Sequence, residues 1–193
     1  MTIPIAEKTY TFEEYLELEK RSTEKLEFRN GKIVPISGGT TDHNEIAANI
    51  IAAIKFQIKK LEKRYHLYTS DMKIQIKDLD FFVYPDTVVV AEKPLFYKDR
   101  KDIITNPLLI VEVLSPSTAT YDRGVKFDFY RHIPSFREYM LVQQDRPYVS
   151  VFYREEENLW RTTDVGGKGK EVALQSIGCA LSLDDIYDNI DFS

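Results

Sequence analysis

The sequence is poor in residues that make cross-links. Its 193 residues include one cysteine, Cys179, and three histidines. A single cysteine cannot form a disulfide within the chain, and it excludes the usual zinc sites built from several cysteines. Such cysteine usage is typical of a reducing compartment, so we expect a cytoplasmic protein.

Long apolar runs and an excess of positive charge are also missing. No apolar run approaches the roughly 20 residues that a membrane-spanning helix needs, and the opening stretch MTIPIAEKTYTFEEY lacks the features of a targeting signal. The net charge of −5 excludes a strongly basic protein that coats nucleic acid through its phosphates. We therefore expect no membrane partner.

The remaining composition is that of an ordinary globular protein. Apolar residues make up 43% of the chain and charged residues 30%. The length suits one domain, so we expect residues 1–193 to form a single unit. Helix-like patterns alternate with strand-like patterns along the chain, which predicts a mixed α/β fold.

Several local patterns predict individual elements. Thr11 and Glu14 have the spacing of a helical capping box, and Asn30-Gly31 is a strong hairpin signal. A long helix of about six turns should open with Asp42 and Glu45 as a capping box. Its sheet-facing positions are predicted to be Ile46, Ile50, Ile54 and Ile58.

Other patterns predict strands and a second helix. Met72, Ile74 and Ile76 alternate with polar residues such as Lys73, as in a half-exposed strand. The runs TVVVAE and LLIVEVL are typical of central strands covered on both faces. A further helix should open near Asp122 and end before Pro134.

Two carboxylates stand beside these central strands. Asp86 follows Pro85 directly before the first run, and Glu112 lies inside the second. If the strands pair at about 4.8 Å, both carboxylates can bind one Mg²⁺ or Mn²⁺, a cation suited to phosphodiester hydrolysis. Two structural alternatives stay open: Asp86 as a turn residue, and Glu112 in a salt bridge with Arg123 or Lys126.

Together, these segments carry a family resemblance. LEFRNGKIV, YPDTVVV, IVEVLSPST, DRGVKFDFY and EYMLV resemble the Uma-type restriction-endonuclease family, which is common in cyanobacteria and belongs to the PD-(D/E)XK nuclease superfamily. The resemblance implies a restriction-endonuclease-like α/β fold, with a mixed β-sheet core flanked by helices. It also implies a Mg²⁺- or Mn²⁺-dependent endonuclease acting on nucleic acid, with DNA as the expected substrate. Because two chains are needed to cut two strands symmetrically, we also expect a homodimer.

The resemblance assigns the main roles in this site. It makes Asp86 and Glu112 the metal ligands, but Leu114 occupies the position where the superfamily motif has a lysine. Lys126 is the expected substitute, and its replacement should then lower turnover while stability stays nearly unchanged.

Three further residues are accessory candidates. Glu27 matches an acid that often joins the metal shell in this superfamily, and His43 matches a histidine near the family's site. Arg123 should share one helix face with Lys126 and Tyr130. The competing hypothesis, motivated by Leu114 and the acidic net charge, is a nuclease-fold domain with weakened chemistry that acts as a binding or assembly module.

Overall fold

The structure is a computed structural model that describes residues 8–36 and 38–192. Within these residues the chain forms two six-stranded sheets, a two-stranded hairpin and five α-helical segments. None of the helices in this part of the chain combines the length and apolar character needed to cross a bilayer. The expected mixed α/β architecture is confirmed.

The first sheet has the strand order β2-β1-β5-β4-β8-β7. Its strands are β1 (Lys25–Arg29), β2 (Lys32–Ile36), β4 (Lys73–Ile76), β5 (Phe81–Val83), β7 (Phe96–Tyr97) and β8 (Arg100–Ile104). The predicted hairpin joins β1 to β2, and both turn residues have positive φ, 46° at Asn30 and 81° at Gly31. Helix α1 (Phe12–Glu19) packs on this sheet, and the predicted capping box of Thr11 and Glu14 is present.

The second sheet has the order β12-β11-β10-β9-β6-β3. Its strands are β3 (Tyr65–Thr69), β6 (Thr87–Ala91), β9 (Leu109–Leu114), β10 (Glu138–Gln143), β11 (Tyr148–Glu156) and β12 (Leu159–Gly166). Strands β9 and β10 run parallel, and β6 pairs with β9 in antiparallel register. The predicted central strands are therefore confirmed as neighbours, and β9 is buried along its whole length.

Helix α2 (Thr41–Ile58) covers one face of the second sheet. The predicted inward face is confirmed, because all four isoleucines are buried against the sheet. The predicted cap was wrong: the Thr40 side chain accepts from the His43 N–H, and the helix has 18 residues, about five turns. On the same side lie the hairpin of β13 (Glu171–Leu174) and β14 (Cys179–Ser182) and helix α5 (Leu183–Ile186).

The opposite face of the second sheet meets the first sheet and a composite helix. This helix consists of α3 (Ala119–Tyr121), a π-helical segment (Asp122–Lys126) and α4 (Phe127–Tyr130). Lys126 and Tyr130 are buried, but Arg123 is exposed, so the predicted shared face was wrong. Asp122 faces the interior instead, since a wider π turn changes which residues point inward.

The first sheet also contains a buried lysine that sequence periodicity did not predict. Lys73 alternates with apolar residues on β4 and was expected on an exposed face, yet it is only 2% exposed. Its ammonium lies in an ion pair with Glu19 of α1 and 3.1 Å from Asp102 of β8. These partners compensate a charge that burial would otherwise make costly.

Candidate active site

Asp86 ends the short connection from β5 of the first sheet to β6 of the second. Its Oδ2 accepts a hydrogen bond of 2.7 Å from the Val113 N–H of β9, and its Oδ1 lies 3.1 Å from His43 Nε2. The antiparallel register pairs Thr87 with Val111, which places Asp86 beside Glu112 on the neighbouring strand. The Asp86 carboxylate is therefore fixed by both the sheet and the start of α2.

Glu112 projects from β9 into the space between the sheets and is 3% exposed. Its Oε1 accepts from the Tyr130 hydroxyl at 3.1 Å and lies 2.7 Å from Lys126 Nζ. Burial raises the pKa of Glu112 well above its usual range; Lys126 opposes the rise, and the carboxylates of Asp122 and Asp86 add to it. Negative charge is thus concentrated around this residue.

Lys126 is the cation of the site and is almost fully buried. Besides Glu112, its Nζ lies 3.5 Å from Asp122 Oδ1 and donates to the Tyr84 carbonyl at 3.2 Å. Burial lowers the pKa of Lys126, but the carboxylates of Glu112, Glu27 and Asp122 outweigh burial and raise it above its usual range. The ammonium therefore remains charged at neutral pH.

Glu27 holds the chain that leads into Asp86. It is buried on β1, where its Oε1 accepts from the Tyr84 N–H at 3.0 Å and its Oε2 accepts from Arg29 Nε at 2.8 Å. Both oxygens are thus engaged in hydrogen bonds. Because Lys126 binds the Tyr84 carbonyl, Glu27 and Lys126 hold the backbone of Tyr84 from both sides.

His43 reaches the site from the first turn of α2. Its hydrogen bond to Asp86 raises its pKa, and partial burial acts in the opposite direction. Its Nδ1 is buried without a hydrogen-bond partner in the described parts of the chain. Gly39 permits this placement, since a Cβ at Gly39 would lie 2.5 Å from the His43 ring.

The structure therefore assembles most of the predicted residues. His43 contacts Asp86, Lys126 contacts Glu112, and the strand register places the two pairs side by side. Glu27 joins them through Tyr84. Arg123 is exposed on the composite helix and stands apart from these contacts. Sequence reasoning gave no role to Arg29 or to Asp122, although the spacing of four between Asp122 and Lys126 was a usable signal of an ion pair.

The fit of the site to a divalent cation rests on donor chemistry and charge. Four carboxylates, those of Glu27, Asp86, Glu112 and Asp122, face two permanent cations, Arg29 and Lys126. The excess of acidic side chains over cations and the carboxyl oxygen donors suit Mg²⁺ or Mn²⁺. However, within residues 8–36 and 38–192 no three acidic, histidine or cysteine side chains form a ready-made metal-binding group.

Comparisons with known proteins identify the family of the chain. The family model Uma2, described as "Putative restriction endonuclease", matches residues 12–184. Two uncharacterised proteins of Synechocystis sp. are similar: one is 36% identical over 172 residues, covering 89% of this chain and 96% of its own. The other is 33% identical over 182 residues, covering 93% and 92%.

A solved structure shares the fold. The crystal structure of a "putative nuclease" belonging to DUF820 from Anabaena variabilis matches with a TM-score of 0.71 and 18% identity. The match covers 92% of this chain and 97% of that one. At this identity the likeness concerns the fold alone.

Proposed function

This chain belongs to the Uma2 family, and from that premise we propose that it is a divalent-metal-dependent endonuclease that hydrolyses phosphodiester bonds, with DNA as its substrate. The observation that carries the proposal is the contact between Lys126 and Glu112, 2.7 Å apart and buried beside Asp86. An ammonium held next to two carboxylates suits phosphodiester hydrolysis, because it joins possible metal ligands to a fixed positive charge.

Each residue has a role in this proposal. Asp86 and Glu112 would hold Mg²⁺ or Mn²⁺, which when bound polarises a phosphoryl oxygen and lowers the pKa of water. Lys126 supplies a positive charge that stabilises negative charge developing on the phosphoryl group. His43, oriented by Asp86, positions water or donates to a phosphate oxygen.

The accessory residues act at a greater distance. Glu27 fixes the backbone before Asp86 through the Tyr84 N–H, so it is a positioning residue. Arg123, exposed on the composite helix, contacts the backbone of the nucleic acid in this proposal. The shared core between the two sheets supports the reading of the chain as one restriction-endonuclease-like domain.

Leu114 is compatible with this chemistry. It is buried in the core between the sheets together with Tyr130, on the same face of β9 as Glu112. A lysine there would place a second ammonium in a space that Lys126 already reaches from the composite helix. We therefore propose that Lys126 replaces the missing motif lysine.

A second function is favoured by one observation, the lack of a preformed metal-binding group in the described residues. A domain with weakened chemistry could bind nucleic acid and not cleave it. The two functions differ in one result: both predict binding, but only the first predicts metal-dependent cleavage.

Cleavage of both strands of a duplex needs two sites, so the nuclease proposal includes a homodimer with a two-fold axis, which light scattering can test.

The experiment is a cleavage assay on plasmid DNA, single-stranded DNA and RNA with Mg²⁺ or Mn²⁺. We expect cleavage by the wild type, a loss of about 100-fold or more in Asp86→Ala, and normal cleavage in Asp128→Ala, which removes an exposed acid of α4. In parallel, Mn²⁺ should raise the melting temperature of the wild type but not of the Asp86→Ala, Glu112→Ala double variant. An equal shift in both proteins would contradict the metal site, and binding without cleavage would favour the second function.

A further inference from the structure

Arg29, the last residue of β1, lies over the ring of Tyr121 in the composite helix. The Cζ of its guanidinium lies 3.8 Å from the centroid of the Tyr121 ring. Glu27 Oε2 accepts from Arg29 Nε at 2.8 Å and from Nη2 at 2.5 Å. A guanidinium that lies over a ring and is bound by a carboxylate has lost most of its rotational freedom before any ligand arrives.

The Arg29 side chain differs from an arginine with a purely structural task. Arg154, by comparison, is 6% exposed and donates to the backbone carbonyls of Ile133 and Arg131. The side chain of Arg29 is 26% exposed, and Glu27 engages only the Nε–Nη2 edge of its guanidinium. The Nη1 end of the guanidinium therefore makes no hydrogen bond with Glu27.

Two further observations at the same place indicate a ligand. The Tyr121 hydroxyl is buried and has no hydrogen-bond partner among the described residues. Lys126 Nζ lies 6.0 Å from the centroid of the same ring, so Tyr121 lies near both Arg29 and the cation of the candidate active site. A cationic fork and a free hydroxyl beside a second cation are suited to an anion with several acceptor oxygens.

We propose that Arg29 and Tyr121 bind a backbone phosphate of the nucleic acid next to the phosphate that is cleaved. The inference rests on the proposed function and adds to it a subsite that fixes the register of the strand. The Arg29 guanidinium donates to phosphate oxygens from its free end, and the Tyr121 hydroxyl donates to the same group. Such a contact positions the strand and carries no base preference.

The test is the salt dependence of binding. Fluorescence anisotropy with a labelled DNA duplex and the matching single strand is measured in Ca²⁺, with the DNA checked for integrity on a gel. The logarithm of the binding constant falls with the logarithm of the salt concentration. Loss of one phosphate contact in Arg29→Met should make this slope less steep, by about 0.9 for the duplex and about 0.7 for the single strand. Arg29→Lys keeps the charge, so the slope should persist while affinity falls.

A matched control is Arg161→Met. Arg161 also pairs with a glutamate, Glu155 at 2.6 Å, and lies near a tyrosine ring, but it belongs to β12, three strands away from β9. The salt dependence of binding in Arg161→Met should have the same slope as in the wild type. Tyr121→Phe should weaken binding and leave the slope unchanged, because it removes a neutral donor and retains the ring.

The outcomes separate this inference from the proposed function. If the wild type cleaves DNA and the slope in Arg29→Met is unchanged, the subsite is overturned and the nuclease proposal stands. The same holds if Arg161→Met lowers the slope as much as Arg29→Met does. If the wild type binds no nucleic acid under any condition, both proposals fail.

Discussion

Replacing Lys126 with methionine tests the site at its centre. Lys126 and Glu112 have side chains that are 6% and 4% exposed, and the distance between their charged atoms is 2.7 Å. Removing one partner of a buried pair leaves the other charge without compensation, which costs about 3 to 5 kcal/mol of unfolding free energy. The sequence alone predicted nearly unchanged stability, and the burial of the pair changes that expectation.

The pH dependence of this loss has a defined sign. Burial already raises the pKa of Glu112, and in Lys126→Met no ammonium opposes the rise. A raised pKa in the folded state gives stability that is present below the ordinary pKa of 4.5 and is lost as pH increases through the folded pKa. The variant should therefore be closest to the wild type at about pH 4.5 and least stable above neutrality.

The assays are urea denaturation and DNA cleavage. Turnover should fall by roughly 10²- to 10⁴-fold in Lys126→Met. Lys73→Met is the matched control, since Lys73 is equally buried and ion-paired but contacts Glu19 and Asp102. It should lose stability and keep turnover within about tenfold. The double variant Lys126→Met, Glu112→Gln should recover part of the lost stability, because it no longer leaves a buried charge unpaired.

Three results would refute this reasoning. Full turnover in Lys126→Met would remove the role of its ammonium. A stability loss below about 0.5 kcal/mol would show that the pair is not buried in solution. An equal loss of turnover in Lys73→Met would attribute the effect to general destabilisation.

Two further predictions concern the helix that carries His43. Ile54→Ala should cost about 2 to 5 kcal/mol of unfolding free energy in urea denaturation, because Ile54 is fully buried. Phe56→Ala, at an exposed position, should cost below about 0.5 kcal/mol. Equal costs would contradict the assigned buried face of the helix. The hydrogen bond to Asp86 raises the pKa of His43, so the stability it contributes is present below the ordinary value of 6.5 and is lost as pH rises through the folded pKa. His43→Asn should thus destabilise more at about pH 5.5 than at about pH 9 in thermal melts. A pH-independent loss would argue against the charged pair.

Much of the fold could be predicted because its signals are local. The capping box at Thr11 and the Asn30-Gly31 turn are encoded within a few residues, and the isoleucine period of α2 marks its buried face. Continuous apolar runs likewise identified β6 and β9 as central strands. The β13–β14 hairpin was missed, since its strands have four residues each and an unremarkable pattern.

The errors arose where distant residues decide the environment. Periodicity placed Lys73 at the surface, because its partners Glu19 and Asp102 lie far away in the chain. An ideal α-helix placed Arg123 beside Lys126, but the π-helical segment turns Asp122 inward. Most acids and the lysine of the candidate site could be named from the sequence, but Asp122 could not be. The contact of Glu27 with Tyr84 depends on the pairing of β1 with β5, two strands that lie far apart in the chain.

The connection of Tyr84, Pro85 and Asp86 has a mechanical consequence. It is a short connection between the two sheets. Its Tyr84 backbone is hydrogen-bonded to Glu27 in the first sheet and to Lys126 in the composite helix. Asp86 is then anchored to β9 through the Val113 N–H. A shift of one sheet relative to the other would displace this connection. The position of Asp86 relative to Glu112 therefore depends on how the two sheets pack.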